Sequence, residues 1–160
     1  MAEENAAVSE EQQSRFVIQK IYTKDISFET PNSPDIFREE WKPKLDLQMG
    51  NEYVRIDEDN HEITLTVTVT ATVGDKVAFL AEVKQAGVFS LTGYSDQEMG
   101  PLVGSYCPNT LFPFAREVIS DIVLKGGFPQ LVLAPVNFDA LYMKQIEKNR
   151  QASQEAETTH

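Results

Sequence analysis

Apolar and polar residues alternate through most of the first half of the chain, and the spacing then changes. From Phe16 to Glu29 the even positions are mostly apolar (Phe16, Ile18, Tyr22, Ile26, Phe28). The odd ones are mostly polar (Gln19, Thr23, Asp25, Ser27, Glu29). A period of two predicts a long strand with one wet and one dry face. The stretch Thr30-Pro31-Asn32-Ser33-Pro34 ends it, because proline has no N–H for a ladder. A crossover over residues 35–43 carries Phe37 and Trp41. Leu45, Leu47 and Met49 then alternate with Asp46 and Gln48, and Tyr53, Val54 and Ile56 continue a second strand. Residues 63–71 alternate without a fault, with threonine at 64, 66, 68 and 70. Gly74-Asp75 reads as a two-residue hairpin loop. The fourth strand, about residues 76–91, sets Phe79, Ala81 and Val83 against Leu80, Glu82 and Lys84.

Helical spacing follows. Asn109 is a candidate cap for a helix with Leu111, Phe114, Ala115, Val118 and Ile122 on one stripe, and Gly126-Gly127 stops it. Asn137 caps a last helix bearing Phe138, Leu141, Tyr142 and Ile146, a stripe that fades near Arg150. The expected fold is α+β: a four-stranded antiparallel sheet followed by helices packed on one face. Residues 1–14 and 151–160 are polar and aperiodic and read as disordered tails, leaving a single domain at 15–150. Such a sheet has two long open edges, and the helices carry more apolar residues than one sheet face needs. Oligomerisation through edges and helices follows, with the threonine-and-acid face outward.

Composition narrows the function. The 160 residues include 14 Lys or Arg and 25 Asp or Glu, a net charge of −11. That balance argues against nucleic acid and against anionic membranes. The single cysteine, Cys107, excludes an intrachain disulfide and fits a reducing cytosol. The start, Met1-Ala2-Glu3-Glu4-Asn5, lacks the blocks of a signal peptide, and no apolar run is long enough for a bilayer.

Catalytic signals are missing. Of two histidines, His160 lies in the expected tail, and His61 follows the acidic Asp57-Glu58-Asp59, which reads as a solvated turn and not a metal site. Cys107 reads as a buried thiol. No phosphate-binding glycine loop or nucleophile elbow occurs, so no enzyme is expected. Aromatic residues do stand in connecting segments: Phe37, Trp41, Tyr94, Tyr106 and Phe128. Each reads as core beneath a loop or as the wall of a groove for extended peptide, and composition does not choose.

Several segments together resemble the SecB family of bacterial protein-export chaperones. They are Ile21-Tyr22-Thr23-Lys24-Asp25-Ile26-Ser27-Phe28-Glu29 with Pro31-Asn32, Val67-Thr68-Val69-Thr70-Ala71, and Ala78-Phe79-Leu80-Ala81-Glu82-Val83. Tyr106-Cys107-Pro108-Asn109, Leu111-Phe112-Pro113, Ala115-Arg116, Phe128-Pro129-Gln130-Leu131 and the segment 133–141 follow in order. The match runs from about residue 16 to 145 and is looser at 48–62.

The resemblance implies a cytoplasmic homotetramer, a dimer of dimers with helices between two sheets. It would hold precursor proteins unfolded and pass them to the SecA translocation ATPase, with no nucleotide or metal cofactor of its own. The basic, zinc-bearing tail of SecA would dock on the outward sheet face, at Asp25, Glu29, Leu80 and Glu82. Candidates for the client groove are Trp41, Phe112, Phe114, Phe128, Leu131, Phe138, Leu141 and Tyr142. Ala81, Val83 and Gln85 match positions where the family's assembly is sensitive, although the family often has Cys where Ala81 stands. The rival reading is a structural or small-ligand-binding α+β oligomer, and an enzyme comes third.

Overall fold

The structure is a computed structural model that describes residues 13–158. Four strands, β1 (Arg15–Glu29), β2 (Lys44–Arg55), β3 (Asn60–Val73) and β4 (Lys76–Thr92), form one antiparallel sheet in the order β1-β4-β3-β2. β2, β3 and β4 are a meander. Its tight turn at Gly74 has φ +63°, a backbone state that glycine adopts without strain. β1 pairs with β4 at one edge, and the proline-rich crossover, which holds a short 3-10 helix, Asp35–Arg38, seated by the buried Ile36, carries the chain from β1 to β2 at the other edge. The expected antiparallel sheet with helices behind it is the one observed.

Alternation sorts the sheet into two faces. On β3 and β4 the odd positions are closed off: Ile63, Leu65, Val67, Val69, Phe79, Ala81, Val83 and Phe89 are all within 1% of full burial. The even positions, threonines on β3 and Leu80, Glu82 and Lys84 on β4, are mostly half-exposed. In an antiparallel pair, directly opposite residues share a face. β1 departs from strict period two. Its register to β4 skips Gln19 and Lys24, so Tyr22 (opposite Ala86) lies on the wet face and Thr23 (opposite Gln85) on the dry one. That reverses the assignment that plain alternation gives these two residues.

The helical half begins earlier than Asn109. Ser95 caps α1 (Asp96–Pro101): its hydroxyl accepts from the Glu98 N–H, and the Glu98 carboxylate accepts in return from the Ser95 N–H at 3.0 Å. A wide π turn, Leu102–Tyr106, leads into α2 (Cys107–Lys125). Asn109 is therefore inside the helical run and caps nothing. The π turn lies between Pro101 and Pro108, each of which lacks an N–H for the helical ladder.

α2 presents Leu111, Phe112, Ala115, Ile119, Ile122 and Val123 to the sheet and crosses β4 and β3. It ends at Gly126, and Gly127 takes φ +88°. Gly126 lies so close to the Phe28 ring that a Cβ would collide with it. α3 (Phe138–Thr158) is capped by Asn137, whose side-chain oxygen accepts from the Ala140 N–H at 3.0 Å. Periodicity alone ends α3 near Arg150. The helix continues to Thr158 with every residue from Met143 exposed, so its last turns rest on propensity and not on packing. Of the acidic N-terminal tail expected for residues 1–14, all but 13 and 14 lie outside the described residues.

Truncating Ile119, which is completely buried between α2 and the sheet, should cost about 3 kcal/mol of unfolding free energy. The exposed neighbour Glu117→Ala should stay within about 0.5 kcal/mol. Urea denaturation at matched protein concentration compares the two.

Candidate functional site

The outer face brings together the four residues singled out for docking. Glu29 stands directly across from Leu80, Ser27 from Glu82, and Asp25 from Lys84. Asp25, Glu29, Leu80 and Glu82 thus occupy one patch spanning β1 and β4, on the side of the sheet away from α2. Glu82 is held in place, its Oε2 accepting from Thr68 Oγ1 at 3.0 Å. Threonines 64, 66, 68, 70 and 72 run down the middle of the same face on β3, with Asp46 and Glu52 beyond them on β2. Short hydroxyl side chains keep this surface low and even, so a partner lying on it can reach the carboxylates.

The same face carries a network that sequence patterns do not show. Tyr22 reaches across β4 above the small Ala86, and its hydroxyl donates to Glu62 Oε2 on β3. Lys24 Nζ donates to the other oxygen, Glu62 Oε1, at 2.9 Å. Burial, reinforced by the Glu62 carboxylate, pushes the Tyr22 phenol up to about 12. The hydrogen bonds from Tyr22 and then Lys24 hold Glu62 below the usual carboxylate range. The alternation fault at Tyr22 and Thr23 hides this contact, because plain period two sends Tyr22 to the core.

The inner face is covered only in its middle. α2 lies over β4 and β3, leaving Ile26 on β1 53% exposed and Leu45 on β2 45% exposed, although both point to the dry side. Each flank has a cavity. One, of about 480 Å³, lies between β1 and α2 and is lined by Ile26, Phe28, Val118, Ile122 and Lys125. The other, of about 510 Å³, lies between β2 and the helices, with Met49, Leu65, Gly104, Leu141 and Tyr142 among its walls. Asn51 fixes that wall, its amide donating to the Val103 carbonyl at 2.9 Å.

The groove candidates divide between these flanks. Trp41 and Phe128 stack at 5.4 Å, and Phe128 meets Phe79 at 5.2 Å and Phe37 at 5.1 Å, an aromatic cluster under the crossover. Leu131 is half-buried against the core. Phe112 and Phe138 meet edge to face at 5.7 Å, both buried, and Leu141 and Tyr142 continue from Phe138 along the β2 flank. Phe114 belongs to neither flank. It is 47% exposed on α2, as Leu124 is at 50%. Ala81, Val83 and Gln85 are at most 2% exposed, beneath α2 within one chain, and Gln85 accepts from Thr23 Oγ1 at 2.9 Å.

His61 is buried, not part of a solvated turn. Its Nδ1 meets the Tyr53 hydroxyl at 2.6 Å, and burial lowers its pKa. The acidic turn beside it is closed by Asp57, whose carboxylate accepts from the N–H groups of Asp59 and Asn60, at 3.0 and 2.8 Å. The Cys107 thiol is fully buried, and burial raises it to about 12.

The family model described as "Preprotein translocase subunit SecB" matches residues 9–149. The chain belongs to the SecB family. It is 59% identical to the protein-export protein SecB of Nitrosococcus oceani over the full length of both chains. To that of Methylococcus capsulatus it is 51% identical over 98% of each. Among solved structures, a SecB-like chaperone of Mycobacterium tuberculosis, in complex with a ChAD peptide from the HigA1 antitoxin, superposes with a TM-score of 0.65. That alignment covers 76% of this chain and 91% of that one at 15% identity, a likeness of fold. As a SecB, the chain is a protein-export chaperone and not an enzyme, and the rival of an oligomer without chaperone activity is set aside.

Tyr22 should ionise late. Its folded pKa of about 12 lies above the ordinary value of about 10. The neutral phenol therefore stabilises the fold below pH 10, and that contribution is lost as pH rises from 10 through 12. Absorbance titration at 295 nm should show one late step that Tyr22→Phe removes.

Proposed function

We propose that the chain binds non-native secretory precursors along the open flanks of its inner face and presents its outer face to SecA. One observation carries this reading. The carboxylates of Asp25, Glu29 and Glu82 lie with Leu80 on the face opposite the apolar flanks, so a client and a basic partner can be held at once. Extended clients need area and adaptable apolar contact, and the Trp41–Phe128 cluster and the Leu141–Tyr142 wall supply it. The M. tuberculosis chaperone of this fold is in complex with a peptide, which supports binding of polypeptide here.

The basic, zinc-bearing tail of SecA is the partner for the outer face, drawn by charge and seated on Leu80. A homotetramer built as a dimer of dimers supports both roles. It covers the open edge of β1, and it buries the exposed Phe114 and Leu124 of α2 between two sheets. Among the described residues no helix is long and apolar enough to cross a membrane, and the chaperone acts in the cytosol, where precursors are made.

Charge reversal at both Asp25 and Glu29 should weaken binding of the SecA tail about tenfold or more while leaving suppression of client aggregation unchanged. Unchanged affinity in titration calorimetry refutes the docking assignment. Val83→Asn should displace α2 and shift tetramers towards dimers, read as mass by light scattering.

A further inference from the structure

The outward aim of Asp25 and Glu29 depends on a fault in β1. Pairing with β4 steps from Thr23↔Gln85 to Asp25↔Lys84, leaving Lys24 as an extra residue. Such a bulge reverses the facing of everything after it. Thr23 opposes the inward Gln85, so plain alternation would turn Asp25, Ser27 and Glu29 inward and Ile26 and Phe28 outward. With Lys24 set aside, the carboxylates face out, and Phe28 stacks on Phe79 at 5.8 Å in the core.

The bulge is gripped from a strand that β1 does not pair with. The extra residue itself, Lys24, binds Glu62 Oε1 at 2.9 Å, and Tyr22 donates to Oε2 of the same carboxylate. Between them Thr23 is tied on the opposite face to Gln85 at 2.9 Å. Three consecutive residues of β1 are thus fastened to β3 and β4, and Glu62 takes two of them with its two oxygens. The Glu62 side chain is only 15% exposed against 49% for Lys24, so the carboxylate is the fixed end of the pair.

We propose that Tyr22, Glu62 and Lys24 form a register lock: a positioning device that keeps Lys24 in the bulge and thereby holds Asp25 and Glu29 on the face that meets a basic partner. It rests on the docking reading above for its purpose, and on the bulge geometry for its existence.

Electrostatics and positioning predict opposite signs at Lys24, and this separates them. Lys24→Met removes a cation beside an acidic patch, so charge alone would tighten binding of a basic partner. The lock requires it to weaken. Tyr22→Phe removes one hydrogen bond without changing charge. Both variants, made in the full chain, should bind a zinc-loaded synthetic peptide of the SecA tail about fivefold more weakly. Both should also speed amide hydrogen exchange over residues 19–29 while keeping the native mass and client binding of the parent.

The Asp25/Glu29 reversal is measured beside them. If the reversal weakens peptide binding but Lys24→Met binds as tightly as the parent or more tightly, the lock is overturned and the docking reading stands. If the reversal leaves binding unchanged, the docking reading fails. Hydrogen exchange then decides the lock alone: faster exchange in both variants upholds it, and unchanged exchange overturns it.

Discussion

One helix cannot cover four strands. Strands in a sheet lie about 4.8 Å apart, and a helix with its side chains is about 10–12 Å across. α2 therefore seals the two central strands and leaves the inner faces of β1 and β2 half open. The surface proposed for clients follows from this mismatch of widths. The centre becomes a dry core in which Val67, Val69, Ala81 and Val83 are completely buried. The flanks keep apolar side chains such as Ile26 and Leu45 about half exposed. A larger helical layer would give a more stable monomer and remove the surface proposed for clients.

On the proposed function, the same arrangement separates the two tasks of an export chaperone by the thickness of a sheet. Apolar contact with clients would then fall to the helix side, where residue identity matters less than area. Charge belongs to the far side, where the threonine rows of β3 leave carboxylates on a level surface. Side chains of opposite orientation along single strands, such as Glu82 beside Val83, serve the two sides without sharing a contact. A change on one face need not disturb the other, provided the register of each strand is kept.

Register is also where the sequence stops being legible. β3 and β4 alternate cleanly because both faces impose a demand at every position, and their facing could be read residue by residue. β1 could not, since a bulge leaves no signature in composition: Ile21 and Tyr22 are both large, and either suits a dry face. Asp25 and Glu29 nevertheless face outward as plain alternation reads them, because the skips at Gln19 and Lys24 cancel. The start of the helical half does have a local signal, for Ser95 and Glu98 stand at capping-box spacing. The groove candidates were only partly separable, because helical spacing gives Phe112 and Phe114 similar standing although one is buried and the other faces away. Long-range contacts such as Tyr22 with Glu62 lie forty residues apart and have no local signal.

The buried thiol of Cys107 keeps this side chain out of disulfide chemistry. Thiol–disulfide exchange requires an accessible thiolate that attacks a disulfide. The one cysteine of this chain is fully enclosed, with its ionisation pushed up to about 12. It presents no thiolate to a disulfide on a bound polypeptide, so contact with one stays non-covalent.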